Sequence, residues 1–331
     1  MRVTQFSKYI PIQSSIQEIQ SRKYLNELRL ATGKQVVDIT ETPSLLVQKK
    51  RFESQIAQQH QFKKNIDYSI NFLQHTTETL DTIASNIQKI KEIAISATQI
   101  STAKDVPVLG KQIRGLLDDI VRYLNSDFDG QFVFSGNILN SDGLASPPGS
   151  TNKLPYEIIQ ETPTTDNPSG LKIIFKGNTK KVVVNTSKVS SEVINTTADE
   201  MFNDTTLTNL NTIIDLYNLL TYNKDGTPRG ENDLFTQEDL SKLENYHRTI
   251  GQMYDKINSV NARNGALLNR LENLRDQSAS ILTALEGYKS KVADTDYAST
   301  TIQLNKDQTA LQFTLQVASR LTQTTLFDFL R

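Results

Sequence analysis

From Phe52 to Ala94 one line of residues advances in alternating steps of four and three: Phe52, Ile56, Gln59, Lys63, Ile66, Ile70, Leu73, Thr77, Leu80, Ala84, Ile87, Lys91 and Ala94. A line with that spacing stays on one side of a helix, as the seam of a coiled coil does. Ile83, Ile90 and Ala97 widen the seam, whereas Gln59, Lys63 and Lys91 leave it imperfect. The seam resumes from Thr236 to about Ala293 through Leu240, Leu243, Ile250, Ile257, Leu267, Leu271, Leu274, Ile281 and Leu285. Two long helices that each expose a narrow apolar line bury it by packing on other helices.

The rest of the chain is placed around these two segments. Residues 12–31 read as a helix after Pro11, with Ile12, Ile16 and Ile19 on one face and Leu25 and Leu28 on another. Gly33 suits the C-terminal cap of that helix, and Thr42–Pro43 suits the start of the next. A helix is expected after Pro107, through Ile113, Leu117, Ile120 and Leu124. The period then changes. The stretch NSDFDGQFVFSGN carries Asp129–Gly130 before alternating Phe132 and Phe134, which reads as a tight hairpin. LPYEIIQ, LKIIFKG and KKVVVNTSKV are short β-branched strands between turn residues. Residues 139–198 therefore form a small β-rich insertion on which the flanking seams are not expected to depend. Helix returns at 205–221, and Asp294 or Asp296 is available to cap a last helix from about Tyr297.

That last helix ends on Leu326, Phe327, Phe329 and Leu330. At 3.6 residues per turn, Leu304, Leu311, Leu315, Ala318, Leu326 and Phe329 share one stripe, while Ile302, Phe313 and Val317 lie nearly opposite. One partner helix buries only one of these stripes. Packing of both on the protein's own body is one reading. The other is that the ends are an assembly device, with Ile12, Ile16, Ile19, Leu304, Leu311, Leu315, Ala318, Leu326, Phe329 and Leu330 as its interface.

Chemistry is hard to place on this chain. There is no cysteine, which excludes disulfides, thiol nucleophiles and cysteine metal sites. His60, His75 and His247 are the only histidines, and no two share a turn of helix. Asp118–Asp119 and Asp294–Asp296 read as a solvated helix face and a cap rather than an acid–base pair. Neither a phosphate loop nor a dinucleotide fingerprint occurs. No catalytic residue, metal ligand or cofactor is expected. Lysine and arginine number 36 against 37 acidic residues, for a net charge of -1, so nothing favours a nucleic acid. No apolar run approaches the roughly 20 residues of a membrane span. The first 20 residues lack the apolar core of a cleaved secretory signal.

The stretches MRVTQFSKY, LATGKQVVDITETPSLL, DGQFVFSGN and ADEMFND resemble the flagellin-like hook-associated protein 3 family, found at the hook–filament junction of the bacterial flagellum. The stretch from Asn261 to Arg331 resembles the carboxyl end shared by that family and the flagellins. The resemblance covers roughly residues 1–138 and 199–331; Glu41–Thr42 before Pro43 departs from the acidic residues usual there. It implies a mainly α, flagellin-like fold: long antiparallel coiled-coil helices, paired termini and a β-rich inserted domain. The implied division is a terminal assembly domain (1–42 with 294–331), a long-helix rod with a β-hairpin (43–138 with 199–293) and an outer insertion (139–198). The implied role is non-enzymatic: a structural adaptor between hook and filament, outside the cell. Export would use the flagellar type III apparatus without a cleaved signal peptide. Implied partners are copies of itself in a ring, the other hook–filament junction protein, flagellin or the filament cap, and an export chaperone on the C-terminal helix. Filament flagellin is the alternative within this class. A secreted helical-bundle effector or needle-tip protein is the alternative outside it.

Overall fold

The computed structural model describes residues 3–36, 43–99, 105–145, 152–230 and 233–329. The elements in order are α1 (Val3–Thr32), α2 (Pro43–Gln99), α3 (Val106–Leu124), β1 (Asp127–Phe128), β2 (Gln131–Phe132), β3 (Tyr156–Gln160), β4 (Leu171–Phe175), β5 (Val183–Asn185), β6 (Ser191–Val193), α4 (Ala198–Phe202), α5 (Thr208–Thr221), α6 (Gln237–Ala293) and α7 (Tyr297–Phe329). The fold is mainly α with a small β insert, as expected. Two compact units are formed, one from Met1–Gln61 with Ser278–Arg331 and one from Phe62–Gln277.

The larger unit is built on the two seams. Leu80, Ile83, Ile87 and Ile90 of α2 and Leu243, Ile250 and Ile257 of α6 are fully buried. They join Ile113, Leu117 and Ile120 of α3 and Leu210, Ile213 and Leu216 of α5 in one continuous core. A smaller cluster of Ile66, Ile70, Leu73 and Leu271 continues the seam. Each such side chain contributes roughly 1.5–3 kcal/mol by leaving water. The helix ends are fixed locally. At the start of α6 the Asp239 amide donates to Thr236 Oγ1 (3.2 Å) while the Thr236 amide donates to Asp239 Oδ2 (3.0 Å), a reciprocal cap. Arg229 reaches the same carboxylate at 3.0 Å and lies over the Phe235 ring.

Two helix starts differ from the expectation. α1 begins before Pro11, which sits inside it and is exposed. A single proline removes one rung of a 30-residue ladder, and here helix continues on both sides of it. The expected helix at 205–221 begins at Thr208, because Leu207 takes a left-handed conformation (φ 58°) with its side chain fully buried. Burial holds a backbone state that a leucine rarely adopts. The expected start of α2 holds at Pro43; Thr42 lies outside the described residues.

The hairpin is as expected. Asp127 pairs with Phe132 and Phe128 with Gln131, leaving Asp129 (φ 52°) and Gly130 (φ 73°) as a two-residue turn. Two successive positive φ angles define the turn type that suits strand twist, and Asp-Gly adopts it at least cost. Beyond it Val133, Phe134 and Ser135 are fully buried. Gly136 (φ 80°) then passes so close to Asn178 that a Cβ would strike the Asn178 carbonyl.

The strands at 156–193 form two antiparallel hairpins, β3–β4 and β5–β6. Asparagines of two helices pair with the outer backbone of the first at one residue on each strand. Asn125, at the end of α3, accepts from the Tyr156 amide and donates to the Tyr156 carbonyl, both at 2.8 Å. On the other strand Asn211 of α5 accepts from the Ile173 amide (2.8 Å) and donates to its carbonyl (3.1 Å). The Tyr156 hydroxyl donates to the Phe134 carbonyl. Tyr156, Ile173 and Ile194 belong to the same core as the helices. The expectation that the flanking seams do not depend on the insertion is therefore corrected. Short β-branched strands look self-contained in sequence, but a two-stranded sheet is too small to bury its own face.

Glu200 ties the insertion to two helices. From α4 it meets Lys181 at 2.7 Å and, through both oxygens, Arg263 of α6 at 2.5 and 3.1 Å. Burial pushes its carboxyl upward, but hydrogen bonds from Arg263 and Lys181 outweigh that and bring it down from 4.5 to about 2. A lowered folded value means the contribution is complete above the ordinary carboxylate range and is lost as the pH falls towards 2. Acid titration of the unfolding free energy should show a flatter dependence between about pH 4.5 and 2 for Glu200→Gln than for the parent. Equal slopes would mean the bonds do not form in solution. Tyr156→Ala should lower the unfolding free energy by about 3–5 kcal/mol in a urea titration, and replacing 139–198 with a short linker should reduce helicity.

Candidate assembly surface

In the terminal unit, α1 and α7 pack together. They run antiparallel, since Lys34 pairs with Asp294 while Asn26 pairs with Asp307. The junction between them is closed by backbone and charge. Gly33 (φ 69°) ends α1 and its amide donates to the Arg29 carbonyl at 2.8 Å. The Gln35 amide donates to the Ala293 carbonyl, and the Thr295 amide to the Gly33 carbonyl. Lys34 Nζ lies 2.7 Å from Asp294 Oδ1; this hydrogen bond raises the lysine and lowers the carboxylate from their ordinary values. Asp296, not Asp294, caps α7, accepting from the amides of Ala298 (3.0 Å) and Ser299 (3.2 Å).

The described residues of the expected interface differ in their burial within this unit. Ile19 is buried, and Ile12, Ile16, Leu304, Leu311 and Ala318 are half-buried. Leu315 is half exposed at 50%, because it sits at the edge of the stripe centred on Asp307 and Leu311. The side chains of Leu326 and Phe329, and all of Leu330, lie outside the described residues. Two members of the buried line were missed. Asn26 follows Ile19 by seven residues and Asp307 follows Thr300 by seven; both are almost fully buried. An apolar pattern search passes over polar residues at stripe positions, so only an unbroken count of seven could have found them.

The opposite face of α7 has no cover among the described residues. Ile302, Phe313 and Val317 are 56%, 63% and 53% exposed. Tyr24 and Ile10 of α1, Val47 of α2 and Tyr288 of α6 are likewise exposed in this unit. Ile302 and Phe313 border one shallow depression on α7, and neighbouring exposed apolar side chains of this kind mark a surface that can meet another molecule.

The paired carboxylates of the sequence have structural partners, as do other charged groups. Asp118 pairs with Arg114 and Asp119 with Arg122 along one helix, and Lys49 and Lys50 both face Glu53. Asn195, in a glycosylation-like triplet, is buried, and its side chain binds Lys180, Val182 and Gly136. Among the described residues no group of His, Asp and Glu is arranged to hold a metal ion, and no helix is long and apolar enough to cross a membrane.

Residues 5–138 match the bacterial flagellin N-terminal helical region. No curated protein sequence matches the chain. Among solved structures, a putative flagellar hook-associated protein from Vibrio parahaemolyticus is similar in fold, with a TM-score of 0.60 at 16% identity over 77% of this chain and 100% of that one. Flagellar hook-associated protein 3 from Legionella pneumophila aligns with a TM-score of 0.56 at 13% identity, over 73% of this chain and 98% of that one. FlgL from Xanthomonas campestris gives 0.55 at 12% identity, over 72% and 99%. The resemblance carried by the sequence is thus met by a family match and by a shared fold. Residues 5–138 are thus similar to the bacterial flagellin N-terminal helical region, and the chain shares the fold of solved flagellar hook-associated proteins.

Proposed function

We propose that this chain is a non-enzymatic structural subunit of the bacterial flagellum and that it joins the hook to the filament. The observation that carries this reading is the terminal helix pair: one face of α7 is given to α1, and the other, with Ile302, Phe313 and Val317, is open. A helix that is apolar on two sides and packed on one of them offers the other to a second body. In this reading the terminal pair, residues 1–42 and 294–331, is the assembly part, and copies of the chain meet through it in a ring. The neighbours along the axis are the other junction protein and flagellin or the filament cap. The chain reaches its extracellular site through the flagellar export apparatus, with a chaperone on α7 beforehand. The flagellin family match favours one second reading, a filament subunit. Purified protein that polymerises into long filaments would decide for that role.

Phe313→Asp with Val317→Asp separates assembly from folding, because both side chains already face solvent. The double variant should unfold at the parent's midpoint as a monomer. In cells it should fail to hold filament on the hook, so that flagellin is found in the medium. Normal filaments on cells carrying only the variant would show that this face is not an assembly contact.

A further inference from the structure

We infer that the buried contact between Asn26 and Asp307 selects which of the two apolar faces of α7 pairs with the chain's own α1. The problem it answers is physical. Leu304, Leu311 and Ala318 line one face of α7, and Ile302, Phe313 and Val317 line another that is no less apolar. Area burial alone gives α1 no reason to prefer the first. Asp307 lies on the first face at 2% exposure, and Asn26 lies opposite it on α1 at 5%. Asn26 Nδ2 donates to Asp307 Oδ2 at 3.0 Å. The other oxygen, Oδ1, accepts from Arg22 Nε and from Gln303 Nε2, both at 3.4 Å. Arg29 Nη1 donates to Asn26 Oδ1 at 3.2 Å, so the amide is held from behind.

Rotating α7 to present its second face would carry Asp307 away and set the aliphatic line against Asn26. The amide would then be buried without its partner, and a buried polar group left unpaired is costly. A polar residue inside an apolar seam is the device by which coiled coils fix one pairing against others of similar area. The contact is within one chain, so it operates whether or not the protein works in a flagellum.

The absence of cysteine makes the test direct. Single cysteines at Leu311 and Phe313 report the two faces by their rates of maleimide labelling in the full-length monomer. In the parent, Leu311→Cys should label severalfold more slowly than Phe313→Cys. Lys306 is exposed between Ile302 and Phe313, so Lys306→Asp with Asp307→Ala moves the carboxylate onto the second face. In that background the preference should invert. Exchanging the partners, Asn26→Asp with Asp307→Asn, keeps one amide and one carboxylate and should restore the parental order. Loss of protection at both positions in the first variant, with full protection in the exchange, still assigns the pairing to this contact. Retained slow labelling at 311 in the first variant, or loss of it in the exchange, overturns the assignment.

Discussion

The long seam shared by α2 and α6 is the constraint on which the rest of the larger unit depends. Its buried isoleucines and leucines form one line on each helix, and residues that widen the line, such as Ile83 and Ile90, need further partners. Helices α3 and α5 therefore pack against it, and the β hairpins fill what those shorter helices leave open. Removal of apolar surface from water is non-directional, so it explains that these elements collect, not how they are oriented. Orientation comes from a small set of polar contacts: the reciprocal cap of Thr236 and Asp239, the fork of Arg263 on Glu200, and the asparagines at the ends and faces of helices.

The terminal unit uses the same division of labour at a smaller scale. Its apolar faces are wider than one partner can cover, and its polar contacts are correspondingly specific. The closed junction at Gly33, Lys34, Asp294 and Thr295 fixes one end of the α1–α7 pair. The buried Asp307 lies further along the same pair. What is left open, the side bearing Phe313 and Val317, is open because the chain itself has no third helix to place there among the described residues.

Much of this was legible in the sequence because it is written in periods. Steps of four and three gave the long helices, Asp129–Gly130 gave a turn with two positive φ angles, and Gly33 gave the end of α1. The features that were not legible are those decided by tertiary partners. Pro11 was read as a boundary because the local rule takes no account of the helix on either side. Leu207 was read as helical because nothing local shows that its side chain is held in a core. The insertion was read as separate because its strands are apolar on one face, and sequence does not say what that face meets. Ile12, Ile16, Ile19, Leu304, Leu311 and Ala318 stand out by their spacing, but Asn26 and Asp307 share that spacing and are hidden from a search for apolar residues.

The asparagines that complete β3 and β4 have a consequence for how the protein behaves in a crowd of its own copies. An isolated two-stranded sheet has two open edges, and each is a template on which an extended segment from another molecule can add. At Tyr156 and Ile173 that template is already occupied by the side-chain amides of Asn125 and Asn211, which bind the same amide and carbonyl that an incoming strand would need. Short, β-branched strands of this kind are otherwise prone to edge-to-edge aggregation. Two side chains projecting from helices thus leave the hairpin inert towards intermolecular strand pairing at those positions.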